Sequence, residues 1–214
     1  MTDDTQERSD ELAPGGIVGV DVDHLRDEVR LHYAQVAAAP GGEYHFHTGR
    51  RAALQVGYDA ELLEGLPKAA LEAFAGIANP FYFGLPAEGE HVIDIGSGAG
   101  TDAMIAARAV GDGGHVIGVD MTVEMLELAR HTASDSGISN IEFRQGLAEE
   151  LPIDDGWADM VISNGVINLV PDKVGAYNEV MRVLRPGGRI QISDICVDKP
   201  VPESAKRDID LWTG

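Results

Sequence analysis

The stretch His91-Val-Ile-Asp-Ile-Gly-Ser-Gly-Ala-Gly-Thr-Asp102 decides the fold of this chain. Its apolar, β-branched first half is typical of a parallel strand that is buried on both faces. Glycines follow, and Thr101 with Asp102 can open the helical pattern 103–110. Glycines are needed where a loop turns tightly and lets a ligand approach the backbone. The stretch therefore predicts a strand, a ligand-binding loop and a helix.

Two acids at strand ends indicate which ligand this loop binds. Asp94 precedes the first glycine by two residues, where a carboxylate repels a pyrophosphate and attracts a cation such as a methionyl ammonium. Asp120 ends the next apolar run, where an acid can hold ribose hydroxyls. S-adenosylmethionine carries that ammonium and a ribose and has no phosphate. The Gly-x-Gly-x-Gly spacing and Thr101 disfavour a nicotinamide dehydrogenase. The alternative is an ordinary strand-turn-helix unit with capping acids.

Composition argues against several classes of function. The chain has 214 residues and a formal net charge of −20, which disfavours nucleic acid and anionic membranes as partners. No apolar run reaches the ~18 residues that span a bilayer. The N-terminus, Met1-Thr-Asp-Asp4, is acidic where a secretory signal would be basic, so we expect a cytoplasmic protein. The one cysteine, Cys196, excludes an intramolecular disulfide and is predicted to be a small buried residue of the fifth strand.

Strand and helix patterns alternate from His91 onward, which predicts an α/β fold with a doubly wound, mostly parallel sheet. The strands are expected at 92–95, 115–119, 141–144, 159–163 and 189–197. The helices are expected at 60–64, 67–75, 101–110, 123–136 and 172–184, with a last one from Glu203. Right-handed crossovers then bring one set of residues to the carboxyl edge of the sheet, where such sheets bind ligands. That set is the glycine loop, Asp120, Leu147, Ala148 and Asn164.

Three segments are predicted along the chain. Residues 1–16 are acidic and polar and are expected to form a disordered tail. Residues 17–86 are expected to be helical, beginning with a helix that Asp21 or Asp23 caps, and to fold over the sheet edge as a lid. Residues 87–214 are expected to form the ligand-binding domain.

The motifs resemble those of class I S-adenosylmethionine-dependent methyltransferases. The likeness is carried by Asp94-Ile-Gly-Ser-Gly-Ala-Gly100, Gly118-Val-Asp-Met-Thr122, Ala148-Glu-Glu-Leu-Pro152 and Val183-Leu-Arg-Pro-Gly-Gly188. The resemblance implies a Rossmann-like fold with S-adenosyl-L-methionine as cofactor. Because the class usually adds two more strands, the sheet is expected to be truncated after its fifth strand. The cofactor-binding residues are predicted to be Tyr33, Asp94, Gly96, Ser97, Gly98, Asp120, Met121, Leu147, Ala148 and Asn164.

A closer likeness is to arsenite methyltransferases, through Val119-Asp-Met-Thr-Val-Glu-Met125 and the segment 162–173. That family binds trivalent arsenic with cysteine thiolates, since soft thiolates suit a soft metalloid. At its thiol positions this chain has Gly165 and Ile77-Ala78, and the segment 40–44 also lacks sulfur. The resemblance therefore implies methylation of a small molecule and supports arsenite as the acceptor poorly. The alternative is a non-catalytic S-adenosylmethionine-binding or regulatory protein of the same fold.

The catalytic residues stay open at this stage, because methyl transfer chiefly needs an aligned nucleophile. Asn164 faces the methyl region in the class, or else bonds its own turn. Tyr33 resembles a family tyrosine that covers the methionyl part, or else belongs to the apolar stripe of its helix. His45 and His47 point to the same side of an extended segment and could line the pocket, act as a base or lie on a plain surface loop. No third ligand stands at metal spacing, so no metal site is predicted.

Overall fold

The fold is described from a computed structural model of the chain. It describes residues 21–42, 44, 47–196 and 198. The expected acidic tail 1–16, His45 and the expected helix from Glu203 lie outside the described residues.

The described chain is built on a five-stranded parallel sheet with the order β3-β2-β1-β4-β5. The doubly wound parallel sheet that the sequence predicts is therefore confirmed. The strand order reverses between β1 and β4, and open parallel sheets bind ligands at the carboxyl ends of the strands beside such a reversal. The strands are β1 (His91–Ile95), β2 (His115–Asp120), β3 (Ile141–Gln145), β4 (Ala158–Asn164) and β5 (Leu184–Ser193).

Helices cover both faces of the sheet, so β1 and β4 are almost entirely buried. Alternate residues of β1 enter different cores: Val92 packs with α5 and α6, and Ile93 packs with α7. This is the two-sided burial that the continuous apolar strands predict. The helices are α1 (Val22–Ala38), α2 (Gly49–Gln55), α3 (Ala60–Leu63), α4 (Lys68–Glu72), α5 (Thr101–Val110), α6 (Val123–Asp135) and α7 (Lys173–Val183), with a 3₁₀ turn at Ile167–Leu169.

The helix α1 begins where the sequence predicts. Oδ1 of Asp21 accepts hydrogen bonds from the backbone N–H groups of Asp23 and His24, both at 3.1 Å, which satisfies two donors of the first turn. The helix buries Leu25 and Val29 and contacts α6. Among the described residues, every helix is too short or too polar to cross a bilayer.

The predicted bounds of β5 are wrong. The prediction was 189–197, because Pro186-Gly-Gly188 is a turn signal. The observed strand is Leu184–Ser193, so the strand includes this segment. Its register against β4 shifts between Ala158 and Met160, which accommodates the irregular residues without ending the strand.

Two further expectations differ from the structure. Cys196 follows β5 and is exposed, so the prediction that it is a buried strand residue is wrong. The helix α2 was not predicted, although Thr48 is followed by Gly49 and then by the good helix formers of Arg50-Arg-Ala-Ala-Leu-Gln55.

Candidate functional site

A cleft of about 1040 Å³, its mouth included, lies at the carboxyl edge of the sheet. It is lined by the ends of β1, β2 and β4, by the loop that follows β1 and by α1. Every residue predicted to bind the cofactor lines it: Tyr33, Asp94, Gly96, Ser97, Gly98, Asp120, Met121, Leu147, Ala148 and Asn164. The topology therefore brings the whole predicted set to one place.

The glycine loop after β1 folds back on the end of β2. The N–H groups of Gly96 and Ser97 donate to the carbonyl oxygen of Val119, at 2.7 and 3.0 Å. The N–H of Gly98 donates to Oδ2 of Asp120 at 2.8 Å. Gly98 has a φ of +50°, which glycine adopts without steric cost. These three amides thus donate to oxygen atoms of the protein itself. A loop that binds a phosphate would instead direct such amides toward the ligand.

Asp94 is buried, with 2% of its surface exposed. The N–H of Ala103 donates to its carboxylate, while Oδ2 has no hydrogen-bond partner among the residues that the structure describes. Burial raises the pKa of Asp94 well above its ordinary value, and the negative charges of Asp102 and Asp120 raise it further. A buried carboxylate oxygen without a partner costs free energy, and a cationic ligand would remove that cost.

Asp120 has a structural partner on each carboxylate oxygen. Oδ1 accepts from the N–H of Thr122 at 2.8 Å, and Oδ2 accepts from Gly98. Burial raises the pKa of Asp120. Burial raises the pKa of the Tyr33 phenol, on α1, to about 12. The nearby negative charge of Asp120 is the second cause of this increase. The Tyr33 hydroxyl therefore remains protonated at neutral pH. Tyr33 packs against the core, as a residue of the apolar stripe would. It also lines the cleft, where a residue that covers the cofactor would lie.

Asn164 ends β4 with both sides of its amide engaged. Oδ1 accepts from the N–H groups of Ile77 at 2.9 Å and Ala78 at 3.3 Å. Nδ2 donates to the carbonyl of Ala78 at 2.8 Å, to the Tyr58 hydroxyl at 2.9 Å and to Oδ2 of Asp102 at 3.0 Å. The Asn164 side chain thus binds a remote segment rather than the turn in which it stands.

Tyr58 and Asp102 are residues that sequence reasoning did not place in the site. The Tyr58 hydroxyl donates to Oδ1 of Asp102 at 2.5 Å, and both side chains are buried. Burial raises the pKa of Asp102 to about 6, although the hydrogen bonds from Tyr58 and Asn164 lower it. An acid in the first helical turn after a glycine loop was a usable signal for Asp102. Nothing in the local sequence singles out Tyr58.

The histidine candidate that the structure describes does not join the site. His47 is exposed and lies outside the cleft lining, and His45 is beyond the described residues. Within the ranges 21–42 and 47–196, with residues 44 and 198, no group of three or more His, Cys, Asp or Glu side chains could hold a metal ion.

Gly165 and Ile77, which stand at positions where the resemblance implies thiols, are neighbours. A Cβ atom added to Gly165 would lie 3.4 Å from Cγ2 of Ile77. In this chain that corner of the cleft holds a glycine and an alkyl side chain, without sulfur.

Comparison with known proteins agrees with this geometry. The methyltransferase domain family matches residues 86–213. The chain is 39% identical over 208 residues to the arsenite methyltransferase of Halobacterium salinarum, covering 91% of this chain and 53% of that protein. It is 35% identical over 126 residues to the ubiquinone/menaquinone biosynthesis C-methyltransferase UbiE of Vibrio parahaemolyticus, covering 58% of this chain and 48% of that protein.

A solved structure is also similar. The arsenic(III) S-adenosylmethionine methyltransferase CrArsM from Chlamydomonas reinhardtii matches with a TM-score of 0.56 and 41% identity, over 72% of this chain and 51% of that one. The chain spans about half the length of the curated relatives it matches.

Proposed function

The chain belongs to the class I S-adenosylmethionine-dependent methyltransferases, and we propose that it binds S-adenosylmethionine in the cleft and transfers the methyl group to a small molecule. The observation that carries the proposal is Oδ2 of Asp94, which is buried at the cleft without a partner. A carboxylate in this state fits an ammonium group, which supplies both charge and hydrogen-bond donors.

The other cleft residues fit the remaining parts of this cofactor. The Ser97 hydroxyl is a second buried oxygen without a partner in the cleft. Asp120 accepts hydrogen bonds from Gly98 and Thr122 and lines the cleft at the carboxyl end of β2, where an acid can hold ribose hydroxyls. A Cβ atom added to Gly98 would meet no protein atom within 4 Å, so the loop leaves room beside its backbone. The residues present therefore suit the amino-acid end and the ribose.

The chain's own residues would bind the cofactor, orient the acceptor and shield the reacting atoms from water. When bound, the cofactor supplies a methyl carbon whose bond to sulfur breaks as its bond to the acceptor forms, and the sulfur keeps the electron pair. Asn164, which lines the cleft, holds the backbone of Ile77 and Ala78, and α1 covers the cleft with Val29 and Tyr33. Exclusion of water and alignment of the acceptor are the contributions that this chemistry needs from the protein.

The charge of the cleft argues against a dinucleotide. Asp94, Asp102 and Asp120 all line it, and a pyrophosphate would face three carboxylates. A small-molecule acceptor is supported by the enclosure of the cleft beneath α1. The similarity both to arsenite methyltransferases and to C-methyltransferases, and the missing thiols, leave the chemical identity of the acceptor open.

Calorimetry with S-adenosylhomocysteine and with NAD tests the cofactor. We expect the wild type to bind only the first, and Asp94→Ala and Asp120→Ala each to weaken it. The loss of a charged hydrogen-bond partner costs on the order of 1.5–3 kcal/mol, or roughly tenfold or more in affinity. Asp112→Ala, in an exposed turn, is the matched control and should bind as the wild type does. Unchanged affinity in both cleft variants would reject the cofactor assignment.

Turnover separates the enzyme from the non-catalytic alternative. With cofactor binding established, a panel of thiol, phenol, quinol and amine acceptors is incubated with methyl-labelled S-adenosylmethionine. Release of S-adenosylhomocysteine in proportion to protein concentration supports the enzyme. Binding without turnover on every acceptor supports the regulatory alternative.

A further inference from the structure

Asp102 lies where three remote parts of the chain meet. It belongs to the first turn of α5, and its two carboxylate oxygens bind the Tyr58 hydroxyl and the Asn164 amide. Asn164 in turn holds the backbone of Ile77 and Ala78. The Asp102 side chain does not cap its own helix. Only 7% of the residue is exposed, so water contributes little to the solvation of its carboxylate. Its position calls for another explanation.

A second carboxylate shares this end of the cleft. Asp94 is also buried, and the negative charge of Asp102 is close enough to raise its pKa. Like charges buried together destabilise a protein unless a cation compensates them. In the part of the chain that the structure describes, neither carboxylate has a cationic side chain as a partner. The cleft therefore has an excess of negative charge at one end, facing the space that a ligand would fill.

We propose that Asp102 is a positioning residue for the amino-acid end of the cofactor: it supplies the second negative charge opposite the ammonium and orients Asn164 and Tyr58. The inference rests on the proposed cofactor. Asp94 bonds the ammonium directly. Asp102 acts through the field it adds and through Asn164, which holds Ile77 and Ala78 at the same end. A ligand without the amino-acid end has no ammonium group for this charge to attract.

Two ligands separate this role from a structural one. S-adenosylhomocysteine carries the amino-acid end, and 5′-methylthioadenosine keeps the adenosine and the thioether without it. We expect Asp102→Asn to weaken S-adenosylhomocysteine by about tenfold and to change 5′-methylthioadenosine by less than about twofold, because only the first ligand carries the ammonium. Asp112→Asn makes the same chemical change in an exposed turn outside the cleft, so it is the matched control and should leave the affinity for both ligands unchanged.

The pH dependence supplies a measurement that needs no variant. Asp94 on β1 and Tyr58 are the titratable groups that interact with Asp102, and Asp120 on β2 and Tyr33 on α1 line the same cleft. Both tyrosines stay neutral at the pH values used, since their pKa values are raised. As pH rises through about 6, the pKa of Asp102, the carboxylate ionises and its attraction for the ammonium appears. Asp94, whose pKa is raised as well, also ionises as pH rises, so the ratio of the two ligands' affinities should shift toward S-adenosylhomocysteine as the pair becomes charged.

The outcomes are distinct. If the wild type does not bind S-adenosylhomocysteine, the proposed function fails and this inference fails with it. If it binds, and Asp102→Asn weakens both ligands equally or neither, the proposed function stands and Asp102 is merely structural. If Asp102→Asn does not fold, the wild-type affinity ratio decides, and a ratio that stays constant with pH overturns the inference.

Discussion

Nη2 of Arg26 on α1 lies 3.2 Å from Oε1 of Glu149, in the segment between β3 and β4. Both residues line the cleft, and their side chains are 27% and 13% exposed. The pair joins α1 to the segment between β3 and β4 across the lining of the cleft. It is therefore a contact that could hold α1 closed over a bound cofactor.

Removal of this pair should speed the release of the cofactor product. A partly exposed ion pair contributes about 1 kcal/mol or less, so we expect Arg26→Gln to raise the dissociation rate of S-adenosylhomocysteine by roughly two- to fivefold. Stopped-flow displacement measures this rate. Arg30→Gln is the matched control, because Arg30 pairs with Asp27 on the same helix. Equal rates in the Arg26 variant and the wild type would show that the pair does not restrain α1.

The mobility of α1 gives a second prediction. If α1 is a lid, its amides should exchange faster in the free protein, and S-adenosylhomocysteine should slow exchange in residues 23–42 as well as in the glycine loop. Hydrogen exchange followed by mass spectrometry measures both regions together. The competing interpretation is a fixed layer that is held by the burial of Leu25 and Val29. Slow exchange of α1 with and without ligand, beside a protected glycine loop, would favour that layer.

Alanine substitutions at two glycines of the loop should have different effects on stability and on cofactor affinity. A Cβ atom at Gly96 would lie 2.2 Å from Cγ2 of Val166, so Gly96→Ala should destabilise the fold by about 1–3 kcal/mol from overpacking alone. A Cβ atom at Gly98 would meet nothing within 4 Å. Gly98→Ala should cost only the roughly 1–2 kcal/mol of its left-handed backbone and mainly reduce cofactor affinity. Denaturant unfolding and calorimetry separate the two. Loss of stability in Gly98→Ala equal to that in Gly96→Ala would contradict this division.

Local sequence predicts β1, the glycine loop and Asp94 well, because a buried strand that runs into glycines has few structural solutions. Other features depend on contacts that no local pattern encodes. Tyr58 joins the site through a hydrogen bond to Asp102, 44 residues away, and no spacing rule connects the two. The predicted start of β5 is wrong because Pro186-Gly-Gly188 is a turn signal in the sequence. In the structure this segment lies within a strand that pairs with β4.

Asp94 should lower the stability of the free protein at neutral pH. Its folded pKa is raised, so the folded state holds the proton more tightly than the unfolded state, and stability falls as pH rises from about 4 through that pKa. Asp94→Asn removes the charge and keeps an acceptor for Ala103. Without ligand we expect this variant to melt higher than the wild type near pH 7.5, by about 2–4 °C per kcal/mol.

The same variant carries its own control. Calorimetric melting near pH 4 should show a smaller gap, because wild-type Asp94 is then neutral as well. Saturating S-adenosylhomocysteine should reverse the order at neutral pH, since the wild type gains more binding energy than the variant. A gap that does not change with pH would mean that the asparagine stabilises the fold for a reason other than charge.

The contact between Gly165 and Ile77 leads to the last prediction, which concerns the acceptor. The resemblance to arsenite methyltransferases implies thiols at these positions, and this chain has none there. The described lining of the cleft holds no thiolate, the ligand that suits trivalent arsenic, and its sulfur atoms are the thioethers of Met121 and Met125. We expect arsenite and S-adenosylmethionine to yield no methylated arsenic above background by element-specific chromatography, under conditions in which the Halobacterium salinarum arsenite methyltransferase serves as the positive control. Methylarsenite formed in proportion to protein concentration would refute this, and would assign the metalloid to other ligands, such as His45, His47 or an added thiol.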